Sequence, residues 1–79
     1  MEDYEFEGVL LGCTVRIIVT ARAQVDWRLD HRIDQVQIRM RAERLAIGIL
    51  SNGGVQAGEH WTVKILDGEH ADGARHDGK

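Results

Sequence analysis

The chain has 79 residues, of which 43% are hydrophobic, 29% charged and 5% aromatic, with a formal net charge of −3. A chain of this length builds one core, not two, and buries only about 60% of the surface its unfolded form exposes, so its stability margin is modest. The single Cys13 excludes an internal disulfide framework, and the longest apolar run, residues 8–13, is far short of the roughly 20 residues that cross a bilayer; the expected setting is cytoplasmic, with no membrane partner.

Hydrophobic period close to two governs the first third. Tyr4, Phe6 and then Val9 or Leu10 lead to Gly12, after which Val15, Ile17, Val19 and Ala21 alternate with Arg16, Thr20, Arg22 and Gln24. Strands are predicted over about residues 4–11 and 14–25, with a turn at Gly12. β-branched Thr14, Val15, Ile17, Ile18 and Val19 favour a pleated strand, because their χ1 freedom is already restricted. Residues 25–33 are polar with isolated anchors at Trp27 and Leu29, and read as a connection.

From Gln35 the alternation returns: Val36, Ile38, Met40 and Ala42 on one face, Gln35, Gln37, Arg39, Arg41 and Glu43 on the other. A half-buried strand with a basic outer face is the expectation. After Ala42 the phase slips to Leu45, Ile47 and Ile49, which a bulge or a single helical turn would explain. The alternative is a helix near residues 33–50, since Met40 to Ala46 are mostly good helix formers. On a helical wheel, however, Ile33, Val36, Met40 and Ile47 share one side with Arg44 beside them, while Ile38, Ala42, Leu45 and Ile49 take the opposite side, so no single apolar stripe forms. Ser51-Asn52-Gly53-Gly54 is the strongest turn signal in the chain. Residues 60–66 alternate again, with Trp61, Val63 and Ile65 on one face, and Asp67-Gly68 closes that strand. Beyond it only Ala71 and Ala74 are apolar, so residues 67–79 read as a disordered polar tail. The predicted architecture is mainly β: one domain over residues 1–66, a small barrel or sandwich of four to five short strands, with α+β as the alternative.

Charge is unevenly spread. Glu2, Asp3, Glu5 and Glu7 make the first seven residues acidic, whereas residues 8–45 hold seven arginines against Asp26, Asp30, Asp34 and Glu43. Such a dipolar pattern fits an oppositely patterned partner, a second copy of the chain included, better than general adhesion to DNA. Arg outnumbers Lys by eight to two, and guanidinium is the group that grips carboxylate or phosphate in a planar, bidentate fashion. Arg39 and Arg41 on one strand face, beside Arg16 and Arg22 on another, would form a basic stripe; with Trp61 they are the expected partner-binding residues. A nucleic-acid-binding barrel using that arginine face is one reading, opposed by the acidic total and by the four aromatics, Tyr4, Phe6, Trp27 and Trp61, most of which the core requires.

No constellation for catalysis or for a cofactor is evident, and the chain is expected not to be an enzyme. Cys13 amid strand formers reads as a small buried thiol. His70 and His76 lie beside Asp67, Asp72 and Asp77, but a flexible tail offers no preorganised shell for a metal. Asp26, Asp30 and Asp34 recur at intervals of four among arginines and read as a solvated mixed-charge surface.

The segments Val36-Gln37-Ile38-Arg39-Met40-Arg41-Ala42-Glu43-Arg44-Leu45 and Ala57-Gly58-Glu59-His60-Trp61-Thr62-Val63-Lys64-Ile65-Leu66-Asp67-Gly68, with Phe6-Glu7-Gly8-Val9-Leu10 as an opening strand, resemble the lambda-type head-tail joining (neck) proteins of tailed phages. The resemblance covers about half the chain. It implies a compact β-barrel that docks into a ring of connector subunits and receives the tail, without catalysis, in the host cytoplasm or the virion. The family's last strand, after the acidic-Gly step, would fall on the polar stretch read here as tail. A non-enzymatic protein-interaction or assembly module is therefore the expected function, with a small inhibitor of a host complex as the alternative protein-binding reading.

Overall fold

A computed structural model describes residues 1–76. The element order is β1 (Tyr4–Leu10), β2 (Cys13–Val19), α1 (Ala21–Trp27), α2 (Gln35–Asn52), β3 (His60–Ile65) and β4 (Ala71–His76). The strands form one open sheet in the order β1-β2-β3-β4. β1 and β2 form an antiparallel hairpin, as do β3 and β4, and the two hairpins join through parallel pairing of β2 with β3. Parallel neighbours need a long crossover, and α1 and α2 supply it.

The architecture is thus a two-layer arrangement of helices on a mixed sheet, not a closed barrel. It is strand-rich but not plainly mainly β, and the alternative helix near residues 33–50 is the one that forms, over Gln35–Asn52. β1 and β3 lie where the alternation puts them, and β2 takes only the first half of its predicted strand. Leu11 and Gly12, at φ 52° and 78°, make the two-residue connection with both φ positive that suits the twist of a hairpin.

The second predicted strand stops at Val19. Thr20 turns the chain, its Oγ1 accepting from the Ala23 N–H at 3.1 Å while donating to the Ile65 carbonyl at 2.8 Å. It is the N-cap of α1, and Ala21, Arg22, Ala23 and Gln24 behind it are all good helix formers.

Over residues 35–43 the expected strand is instead the first half of α2. Ile38, Ala42, Ala46 and Leu50, each four residues apart, are fully buried against the sheet. The phase slip after Ala42 is this helical period and not a bulge. Ser51 and Asn52 belong to the helix's last turn, and the Gly53 N–H closes it by donating to the Ile49 and Leu50 carbonyls, both at 3.0 Å.

The core lies between the layers. Phe6, Cys13, Val15, Ile17, Val19, Trp61, Val63 and Ile65 meet Ala23, Trp27 and the buried line of α2. The expected tail departs most from expectation, because residues 71–76 pair with β3 as an edge strand. Gly73 explains how so polar a segment docks: a Cβ there would stand 2.5 Å from Cγ2 of Ile49 and 3.5 Å from the Trp61 ring. Trp61 and Ile49 supply the apolar surface, on which the strand lays a flat backbone at Gly73 with Ala71 and Arg75 packed beside it. The rest of the expected tail, residues 77–79, lies outside the described residues.

Candidate interaction surface

The expected basic stripe does not form. Arg16 sits on the outer face of the sheet and is ion-paired with Glu5. Arg22, on α1, pairs with Asp26 at 3.1 Å. Arg39 and Arg41 lie on a helix, where a two-residue step turns about 200°, and they diverge to opposite shoulders of α2. The Arg39 guanidinium lies 4.8 Å from the Phe6 ring centroid, and its Nε donates to Tyr4 Oη at 2.9 Å. The Arg41 guanidinium lies 5.3 Å from the Trp27 ring centroid. Trp61, expected to contact a partner, is 6% exposed and is a core residue. Arg75 covers it at 5.0 Å while bonding Glu59 at 3.0 Å and the Gly53 carbonyl at 2.9 Å.

Those contacts account for part of the arginine excess. Cation–π contacts occur about once per 70–80 residues; three in this short chain show guanidinium planes closing the rim of a small aromatic core. Sequence reasoning missed this role because each ring and its arginine lie far apart in the chain, 14 residues at the closest.

The candidate chemical groups are dispersed. Cys13 is fully buried, its Sγ donating to the Gln56 carbonyl at 3.3 Å. Asp30 is bound by Arg32, whose side-chain hydrogen bond is the largest influence lowering its pKa from 3.8 to about 2. Asp26 lies on α1 and Asp34 stands just before α2, its carboxylate accepting from the Asp30 N–H at 3.0 Å, so the four-residue spacing does not place these aspartates on one helix. His70 bonds Asp67, whose carboxyl is lowered chiefly by the N–H groups of Glu69 and His70. His76 stands at the far end of β4 and contacts Thr62, while Asp77 lies outside the described residues. Among the described residues, no group of three or more His, Cys, Asp or Glu side chains is placed to hold a metal.

A cleft of about 420 Å³ opens between Asp26, Trp27, Arg41 and residues 67–70. Internal bonds occupy its polar groups: the Trp27 indole N–H donates to the Gly68 carbonyl at 3.0 Å, and the Gly68 N–H to Asp26 at 2.9 Å. These bonds fasten the β3–β4 loop to α1.

Apolar exposure is concentrated elsewhere. Val36, Met40 and Ile47 fall within about 40° of one another around α2, on a side turned away from the sheet, and are 69%, 57% and 38% exposed. Ile33, in the turn just before the helix, is 81% exposed. Glu43 and Arg44, three and four residues on from Met40, stand between Met40 and Ile47 on this side. α2 thus has two apolar sides, one buried on the sheet and one left uncovered.

Compared with protein-family models, with curated proteins and with solved structures, the chain matches none of them.

Proposed function

We propose that the chain is a non-enzymatic protein-interaction module whose docking surface is the solvent side of α2. The exposed apolar side chains of Val36, Met40 and Ile47, a ridge on one side of α2 with Glu43 and Arg44 between the last two, carry this reading, since clustered exposed apolar side chains on a small domain mark a contact site. An assembly role such as the resemblance to lambda-type neck proteins implies, or inhibition of a host complex, would use the same surface. The open sheet departs from the β-barrel that this resemblance implies. A reducing cytoplasm suits the single buried Cys13, and no helix among the described residues is long and apolar enough to cross a membrane. The nucleic-acid reading loses its basis, because its four arginines face different directions and two are bound to carboxylates.

The test is comparative capture. Wild type, Met40→Asp and an outer-sheet control, Lys64→Glu, are used as baits against cell lysate. A partner held by wild type and by Lys64→Glu but lost by Met40→Asp is expected; a partner set indifferent to Met40→Asp removes α2 as the docking surface.

A further inference from the structure

The ridge has a chemical bias that narrows its partner. The chain's arginines divide into two sets. Arg16, Arg22, Arg32 and Arg75 each have an ion-paired carboxylate, on Glu5, Asp26, Asp30 and Glu59 respectively. Arg28, Arg39, Arg41 and Arg44 have none among the described residues, and all four belong to the helical layer. Arg28 is the C-cap of α1, and the other three lie on α2, which offers only Glu43 against them. Positive charge is therefore left uncompensated on the layer that bears the exposed apolar ridge. Arg39 and Arg41 are also steadied by the rings beneath them, so holding them against a carboxylate costs less side-chain entropy than it would for a free arginine.

We infer that this surface takes an acidic amphipathic helix, its apolar side chains seated along Val36, Met40 and Ile47 and its carboxylates meeting Arg44 and the arginines on the shoulders of α2. The inference rests on the docking reading above and adds the class of partner. Val36 to Ile47 spans about 16 Å of helix axis at 1.5 Å per residue, a line that a second helix covers with side chains at i, i+4, i+7 and i+11. An added strand would find no free backbone edge on a helix. A second copy docked ridge to ridge would set Arg39, Arg41 and Arg44 of each helix against the same three of the other, with only Glu43 from each to offset them, a net like-charge contact that costs binding energy. An anionic bilayer would satisfy the charge, but the ridge has no aromatic anchor of the kind interfacial helices use.

The test is a yeast-displayed library of helical peptides about as long as α2, with apolar residues fixed at the docking spacing and flanking positions randomised among Glu, Gln and Lys. Selection on the intact protein is expected to enrich Glu, giving binders that weaken with added salt and lose about tenfold in affinity for the Arg44→Glu variant, whose folded signal is unchanged. Enrichment of Lys or Gln, or no enrichment, overturns the inference. Binders without charge preference that Met40→Asp abolishes would leave the docking surface standing and remove only the acidic class. Binders indifferent to Met40→Asp would remove the surface itself. Binding to phosphatidylglycerol vesicles, or a dimer by light scattering that Met40→Asp dissociates, would overturn the inference in favour of a membrane or a second copy.

Discussion

The molecule turns two broad surfaces to solvent, and they are built on different rules. The outer face of the sheet carries Glu5, Glu7, Arg16, Thr62, Lys64 and Asp72 in cross-strand rows, with Val9 and Ile18 as isolated apolar members. This is the alternation an uncovered sheet face needs. The solvent side of α2 breaks the corresponding rule for helices, placing β-branched and thioether side chains where charge is the norm. Exposure of one apolar residue says little; the contrast between a face that follows its rule and one that does not is what marks α2.

The largest effect separates the two sides of α2 itself. Leu50→Ala, in the buried line, is expected to cost about 2–5 kcal/mol, whereas Met40→Ala should stay within about 0.5 kcal/mol of wild type. Urea midpoints of the two variants measure the difference. Equal losses would mean that the ridge is packed in solution and the contrast is void.

A smaller loss is expected at the sheet edge on which α2 rests. Gly73→Ala inserts a methyl group against Ile49 and Trp61, and overpacking of this kind costs about 1–3 kcal/mol. Amide exchange should show the loss concentrated in β4, with β1 and β2 unaffected.

Acid should act through the carboxylates that tie loops and turns together. Asp30, Glu59 and Asp67 all have lowered pKa values, held chiefly by the Arg32 side chain, the Gln56 N–H and the Glu69 N–H respectively. Lowered folded-state values give stability that is complete above the ordinary values of 3.8 and 4.5 and is lost as pH falls below them, for Asp30 down to about 2. Thermal midpoints should therefore decline below about pH 4.5, and Asp67→Asn should make that decline shallower; a midpoint flat from pH 5 to pH 2 would remove these contacts as contributors. The smallest change is a gain. Leu11→Gly relieves a left-handed leucine at φ 52° and should raise stability by about 0.5–1 kcal/mol, measured by the same denaturation.

Strands were legible wherever the side chains that alternate are large enough to choose a face, as with Val15, Ile17 and Val19 or Trp61, Val63 and Ile65. Alternation carried past Thr20 by Ala21 and Ala23 had no such force, since alanine fits either periodicity and is the best helix former. Residues 35–43 alternate and also repeat every four. Only the need to cover the sheet decides between them, and that need is tertiary. β4 was illegible because its docking depends on the absence of a side chain at Gly73. Of the candidate site, Arg39 and Arg41 were legible as exposed charges, but their directions were not, since strand and helix send residues two apart to the same side and to nearly opposite sides respectively.

The central pairing also governs the order in which the chain can assemble. Each hairpin joins neighbours in sequence, and two-residue and short-loop closures of this kind form on the microsecond scale. Thr14 and His60, by contrast, must find each other across the whole of α1 and α2, and the entropy of closing that loop is spent before any parallel bond forms. A helix that is already wound shortens the search. The rate-limiting step of folding is therefore expected to be the meeting of two preformed hairpins, with α2 acting as the spacer that sets their separation.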